Sequence, residues 1–266
     1  MAKGVKFMKP QRLYLKFKTI GESQVVQNFF YDRLNGFVNA VLKRADPEYQ
    51  KRYHLNGSKY GQRPYRLYSY SSFFSPQMKR LHSVEFYPPD SDMEWIVSTA
   101  DPEFSKNFVE GLADEIKEGN GIIQLSDFRA RLVDIQEVNA PIHNNKFITL
   151  SPFVFSRRIK PGNHTRYCTD EKEINELLPA HLARKWHALT GEKIENPDIS
   201  VRFRDVRPVK RYFRDKDSGH TNAIIANQGH IEFLTGDERI LNLIYYAGFG
   251  LRGSTGYGCL EVMPLS

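Results

Sequence analysis

The sequence predicts an α+β protein made of two tandem β-α-β-β-α-β units. Three observations carry this expectation. A segment with two-residue periodicity and then a helical one open the chain, the same order starts again at Phe147, and a stretch from 139 to 144 containing Pro141 separates the two passes.

Leu13, Leu15 and Phe17 alternate with Tyr14, Lys16 and Lys18, the pattern of a half-buried strand. Ser23 is placed to cap a helix in which Val26, Phe30, Leu34, Phe37, Val38 and Val41 recur at helical spacing until Asp46-Pro47 stops the pattern. Strand-like segments follow at 65–73, 81–87 and 95–99. Asp101 then reads as an N-cap with Pro102 at the first helical position; Phe104, Phe108, Leu112 and Ile116 make the apolar stripe, and Gly119 closes the helix. A strand over 122–138 ends the first unit. The second unit opens with a strand over 147–155. A helix follows from Asp170 through Leu177, Leu178, Leu182, Trp186 and Leu189 to Gly191, and then a strand over 199–206. Residues 223–234 read as a strand or hairpin, Asp237 and Glu238 start a helix carrying Ile240, Leu241, Ile244 and Tyr245, and 258–262 is a last short strand. This is the order of two ferredoxin-like units, residues 1–140 and 141–266.

The charge is uneven. Lysine and arginine number 38 against 31 aspartate and glutamate, a formal net charge of +7 that favours polyanionic partners. No acidic residue occurs from Tyr49 to Val84, where Lys51, Arg52, Lys59, Arg63, Arg66, Lys79 and Arg80 are interleaved with tyrosines. A second basic cluster runs from Arg202 to Lys216. No apolar run approaches the roughly 20 residues of a membrane span, and the basic N-terminus lacks a secretory apolar core, so no membrane association and a cytoplasmic location are expected. Cys168 and Cys259 are far apart and outside any CxxC pattern, which argues against a disulfide framework or a thiolate metal site. No histidine pair has HxxxH or HExxH spacing, so no metal is expected.

The segment Tyr245-Tyr246-Ala247-Gly248-Phe249-Gly250-Leu251-Arg252-Gly253-Ser254-Thr255-Gly256-Tyr257-Gly258-Cys259 places five glycines in eleven positions. Glycine permits positive φ and close backbone approach, so such a loop can aim successive N–H groups at phosphate oxygens, with Arg252 adding charge. A dinucleotide fingerprint needs a strand before it and a helix after it, and here a helix precedes and only eight residues follow Gly258. The missing GK[ST] excludes a Walker loop. The alternative reading is a tight connection whose glycines satisfy turn geometry.

A helix running into a glycine-rich loop with a central basic residue, then Gly-aromatic-Gly and a short terminal strand, resembles the C-terminal signature of the RAMP (repeat-associated mysterious protein) superfamily. Within it the chain is most similar to the CRISPR-repeat endoribonucleases, and Thr149-Leu150-Ser151-Pro152 at the opening of the second unit agrees. The resemblance implies cleavage of precursor CRISPR RNA without metal or other cofactor. The RNA's own 2′-OH attacks the adjacent phosphate and leaves a 2′,3′-cyclic phosphate or 3′-phosphate end. It also implies repeat RNA as the partner, a monomer or homodimer, and contact with other CRISPR effector subunits in some relatives. The alternative within the superfamily is a non-catalytic RNA-binding subunit; outside it, a basic RNA-modifying or ribosome-associated factor.

Such chemistry needs a group titrating near neutrality and fixed positive charge. The resemblance puts a catalytic histidine just after the first helix, where Tyr53-His54-Leu55-Asn56-Gly57 stands. His54 is therefore expected as general acid or base, Lys59 or Lys51 as the charge stabiliser, and Tyr53 or Tyr60 as the group orienting the scissile nucleotide. His82, beside Arg80, is the rival; His143 and His164 lie in loops, His181 and His187 in a helix, and His220 and His230 flank a hairpin. Expected RNA contacts are Gly250, Arg252, Gly253, Ser254, Thr255, Gly256 and Gly258 in the loop, and a basic stripe of Arg157, Arg158, Lys160, Arg202, Arg204, Arg207, Lys210 and Arg211. Arg202 and Arg204 point to one face of their strand and Val201 and Phe203 to the other. Tyr65, Tyr68 and Tyr70 are expected in the core.

Overall fold

A computed structural model describes residues 11–26, 30–55, 57–61, 63–81, 84–125, 128–138, 142, 144–159, 164–195, 197–214 and 221–264. The fold is mixed α+β. The first part runs β1 (Gln11–Thr19), β2 (Gln24–Val26), α1 (Phe30–Ala45), α2 (Pro47–Leu55), β3 (Ser58–Tyr60), β4 (Arg63–Tyr65), β5 (Tyr68–Tyr70), β6 (Lys79–Leu81), β7 (Val84–Tyr87), β8 (Asp92–Thr99), α3 (Pro102–Gly119), β9 (Ile122–Leu125) and β10 (Phe128–Glu137). The second runs β11 (Lys146–Thr149), β12 (Phe155–Ile159), β13 (His164–Cys168), α4 (Glu171–Thr190), β14 (Ser200–Phe203), β15 (Arg207–Arg214), β16 (Thr221–Gln228), β17 (His230–Leu234), α5 (Glu238–Ala247) and β18 (Leu260–Val262), with one 3-10 turn at Gly253–Thr255.

Two sheets organise these elements. The first has the order β5-β8-β1-β10-β9 and the second β14-β17-β11-β18, with every neighbouring pair antiparallel. Leu13, Leu15 and Phe17 of β1 face a core closed by Leu34, Val38 and Val41 of α1 and by Phe104, Phe108 and Leu112 of α3. The second core gathers Phe147, Ile231 and Phe233 from the sheet with Ile174, Leu178 and Leu182 of α4 and Ile240 and Ile244 of α5. Tyr65, Tyr68 and Tyr70 are all buried, as their alternating pattern led one to expect.

The capping signals at 101–102, at 170 and 191, and at 237 all mark real helix ends: the carboxylates of Asp101, Asp170 and Asp237 each accept first-turn amides, and Gly191 is left-handed. Three expectations change. Ser23 caps no helix, because Gln24–Val26 pairs with β7 as a strand and α1 begins at Phe30. Asp46-Pro47 does not only end α1; the Asp46 carboxylate accepts the Tyr49 amide at 2.9 Å and Pro47 starts α2, so Tyr53 and His54 are helical. The expected strand over 147–155 is split, with β12 turning away to pair with β13, and β15 pairs with β16 as a separate ribbon.

The two parts are joined through a buried ion pair. Arg12 of β1, 0% exposed, donates from Nη2 to Glu261 Oε2 of β18 at 2.9 Å. The hydroxyls of Tyr14 and Tyr245 donate to the same carboxylate at 2.6 and 3.0 Å, and the guanidinium lies 4.4 Å from the Tyr245 ring centroid. Burial raises both phenols above their ordinary pKa and keeps them neutral donors.

Candidate nucleic-acid interface

Helix α2 sorts its residues by face. Tyr49 and Tyr53, one turn apart, point inward and stack at 5.3 Å, while Lys51, Arg52 and His54 are exposed. Arg52 is paired with Glu103 at 2.6 Å, and the Arg66 guanidinium donates to the His54 carbonyl at 2.6 Å, tying the end of the helix to the strand region after β4. Tyr53 departs from its expected role. Its hydroxyl accepts the Leu67 amide at 3.1 Å inside the core, and burial drives its pKa well above the usual phenol value. A side chain so enclosed cannot orient a nucleotide.

The chain leaves α2 directly into the β3–β4 hairpin, which carries Lys59 and Tyr60 outward. The hairpin reaches across to α4, where the Tyr60 ring stands edge-on to that of His187 at 5.2 Å. Lys51, His54, Lys59 and Tyr60 thus belong to one helix–hairpin unit with exposed side chains. His82, the rival histidine, and Lys160 lie outside the described residues, and so do His143 and His220. His230 is held by Asp205, its Nδ1 at 2.9 Å from the carboxylate.

The glycine-rich loop is built more tightly than an open cradle. The amides of Phe249, Leu251, Thr255, Gly256 and Gly258 all donate to backbone carbonyls. The Cys259 amide donates to Ser151 Oγ. Gly256 has φ of +80°, and a Cβ there would stand 2.6 Å from the Tyr70 ring; a Cβ on Gly258 would meet the Phe249 carbonyl. Most of the expected cradle is therefore closed on its own carbonyls, on the 151–154 segment and on Tyr70 of β5. What faces outward is Arg252, with Gly253, Ser254 and Thr255 half-buried beside it. Tyr68 links this outward turn to α2: its hydroxyl reaches Ser254 O at 3.3 Å, and its ring lies 6.2 Å from that of Tyr53.

The expected basic stripe is not uniform. Arg202 and Arg204 share Glu232, the first at 3.8 Å, and Arg157 is paired with Glu176. Arg207 and Lys210 are exposed on the β15–β16 ribbon and Arg211 is half-buried there. The ribbon stands over a small apolar cluster of Val154, Ile224, Ala226 and Tyr257. Arg252 lies 5.8 Å from the Phe213 ring of the same ribbon, which brings the loop's charge beside the ribbon's.

Helix α4 supplies further groups beside the loop. His181 Nε2 meets the Gly250 carbonyl at 3.0 Å. The buried Lys185 ammonium donates to the carbonyls of Ala247 and Gly248 at 3.2 and 2.6 Å, and so closes the open C-terminus of α5. Burial lowers its pKa to about 7. The run His181, Arg184, Lys185, His187 was a readable signal of a cationic helix face. Among the described residues no group of three His, Cys, Asp or Glu is gathered as a metal site, and no helix is long and apolar enough to cross a membrane.

Residues 135–262 match the family model for the CRISPR associated protein Cas6, C-terminal. The chain is 24% identical over 233 residues to the CRISPR-associated endoribonuclease Cas6 of Pyrococcus furiosus, covering 86% of this chain and 80% of that protein. It is 23% identical over 253 residues to the CRISPR-associated endoribonuclease Cas6 1 of Methanocaldococcus jannaschii, covering 93% and 91%. A solved structure described as an RAMP protein binding different RNA substrates superposes with a TM-score of 0.78 at 15% identity, covering 96% of this chain and all of the other. Over most of its length the chain is therefore similar to RAMP-type endoribonucleases of the CRISPR systems. More particularly, the likeness is to the Cas6 type, whose C-terminal family model is matched by residues 135–262.

Proposed function

We propose that the chain is an endoribonuclease that cuts precursor CRISPR RNA within its repeats. The observation that carries this is the likeness, over most of the chain, to two CRISPR-associated endoribonucleases. An RNA 2′-OH attacks the adjacent phosphorus, the O2′–P bond forms and the P–O5′ bond breaks, leaving a 2′,3′-cyclic phosphate and a 5′-OH. His54 exchanges the proton at O2′ or O5′, Lys59 or Lys51 faces the charge that builds on the phosphorane oxygens, and Tyr60 orients the nucleotide. The exposure of these four side chains on one helix–hairpin unit supports the assignment.

Repeat RNA enters beside the outward turn of the glycine-rich loop, on Arg252, Gly253, Ser254 and Thr255, and runs toward the ribbon with Arg207 and Lys210. The architecture that presents this surface is two tandem ferredoxin-like units, 1–140 and 141–266, acting in the cytoplasm. The strand order supports it: in each main sheet the strands that open and close the two helical crossovers alternate in the same sequence, β5-β8-β1-β10 and β14-β17-β11-β18. Incubation with repeat RNA in EDTA tests the reaction. Cutting that survives the chelator and vanishes when one 2′-OH is replaced by hydrogen at the cut site is the expected result; binding without products would make the chain a non-catalytic RNA-holding subunit instead.

A further inference from the structure

Helix α4 treats the arginines around it in two ways. Arg157 and Arg166, from the β12–β13 hairpin, are tied to Glu176 and Glu173 of the helix. Arg158, next in sequence to Arg157, and Arg184, about two turns beyond Glu176 on α4, have no carboxylate partner among the described residues. Both border a cavity of about 640 Å³ between the β12–β13 hairpin and α4, in the size range of small-molecule pockets. Phe155, Leu177 and Leu251 give it an apolar wall, Ser156 adds a hydroxyl, and no acidic side chain lines it among the described residues. The Nε of Arg184 is buried without an acceptor. A buried charged donor unmatched by protein is costly, and an anionic oxygen entering the cavity relieves it.

Two uncompensated guanidiniums above an apolar wall match one chemical class closely. Phosphate oxygens accept from the planar guanidinium fork, and a nucleobase gains by covering aromatic and aliphatic surface. We propose that this cavity takes one unstacked nucleotide of the bound RNA, its phosphate on Arg158 and Arg184 and its base against Phe155, Leu177 and Leu251. The identity of the polymer rests on the reading of the chain as a repeat-RNA endoribonuclease. The lining of the cavity does not include His54, and α4 connects the two places: Arg184 lies within one turn of His187, whose ring meets Tyr60. A strand laid along α4 therefore passes from the cavity to the helix–hairpin unit, and the cavity fixes one nucleotide at a set distance from the cut.

The test uses the full chain, with folding of each variant checked by its melting temperature. A fluorescent repeat RNA with a 2′-deoxy cut site is titrated against the unaltered protein, Arg158→Ala, Arg184→Ala and the cavity-filling Ser156→Trp. Each variant is expected to weaken binding about tenfold or more, the scale of one lost stacked or bidentate contact. In parallel, saturation-transfer NMR reads uridine and adenosine 5′-monophosphate against inorganic phosphate, with transfer to the nucleotides expected and lost in Ser156→Trp. Unchanged affinity in all three variants while the unaltered protein still binds and cuts repeat RNA overturns the pocket and leaves the endoribonuclease reading standing. A protein that takes the nucleotides but neither binds nor cuts repeat RNA keeps the pocket and removes that reading. Transfer to neither nucleotide, or displacement by phosphate alone with no base discrimination by Ser156→Trp, refutes a nucleotide site.

Discussion

Replacing Glu261 by Gln keeps the shape of the side chain and removes the charge that compensates the buried Arg12. Breaking one partner of a fully buried pair costs about 3–5 kcal/mol, because the other charge is left without compensation. Arg12 is fully buried, but the Glu261 side chain is 29% exposed, so water partly screens the pair and about 2–3 kcal/mol is expected. Two guanidinium nitrogens of Arg12, Nε and Nη1, are already buried without acceptors, so the pair is an imperfect one. Removing both partners, as in Arg12→Met with Glu261→Met, is therefore expected to cost less than the two single changes added together, with a coupling of about 1–3 kcal/mol. Urea unfolding at neutral pH reads each variant through its midpoint. A Glu261→Gln protein within about 0.5 kcal/mol of the original, or strictly additive single and double changes, would refute the role of this pair as the tie between β1 and β18.

Other consequences follow from single side chains. Lys185 has a folded pKa near 7 against 10.5 for a free lysine, so between those values the unfolded chain binds more protons and stability rises with pH, by up to about 1.4 kcal/mol per unit; Lys185→Met should abolish that rise between pH 7 and 9, and parallel curves for the two proteins would contradict it. Tyr53→Phe leaves the buried Leu67 amide without its acceptor and should cost about 1–2 kcal/mol in chemical denaturation while the folded protein still cuts; loss of cutting at full stability would return Tyr53 to the site. Lys210→Ala, on the exposed ribbon, should weaken RNA binding with little sequence dependence and lower the slope of log K against log salt by about 1, and an unchanged slope would take the ribbon off the RNA path.

Much of the mixed fold was legible because its signals are local. The alternation at 13–18, the Asp-Pro start at 101–102 and the Asp170 and Gly191 caps each rest on groups within a few residues of one another. The same Asp-Pro signal at 46–47 ends one helix and starts the next, so a stop at that point conceals α2 and the inward turn of Tyr53. Within that helix the four-residue spacing of Tyr49 and Tyr53 puts both on one face, toward the core. The β12–β13 and β15–β16 ribbons were harder, since their pairing is set by what the segments pack against. The candidate site divides in the same way. Exposure of His54, Lys59 and Tyr60 follows from a basic, polar local sequence. The neutralisation of Arg157 by Glu176 and of Arg202 and Arg204 by Glu232 depends on contacts across α4 and the second sheet, which no local pattern encodes. The glycines carried a true signal of close approach, but much of that approach is to Tyr70 and to the chain's own carbonyls.

One comparison bears on the chemistry more directly than any other. The cleavage rate of saturating protein on repeat RNA, and the affinity for the same RNA with a 2′-deoxy cut site, are measured for the original chain and for His54→Ala. A fall in rate of about a hundredfold or more with affinity held within about twofold is the predicted outcome, matching the loss of a proton-transferring group. Cutting at the original rate would contradict it and move the reaction away from the end of α2.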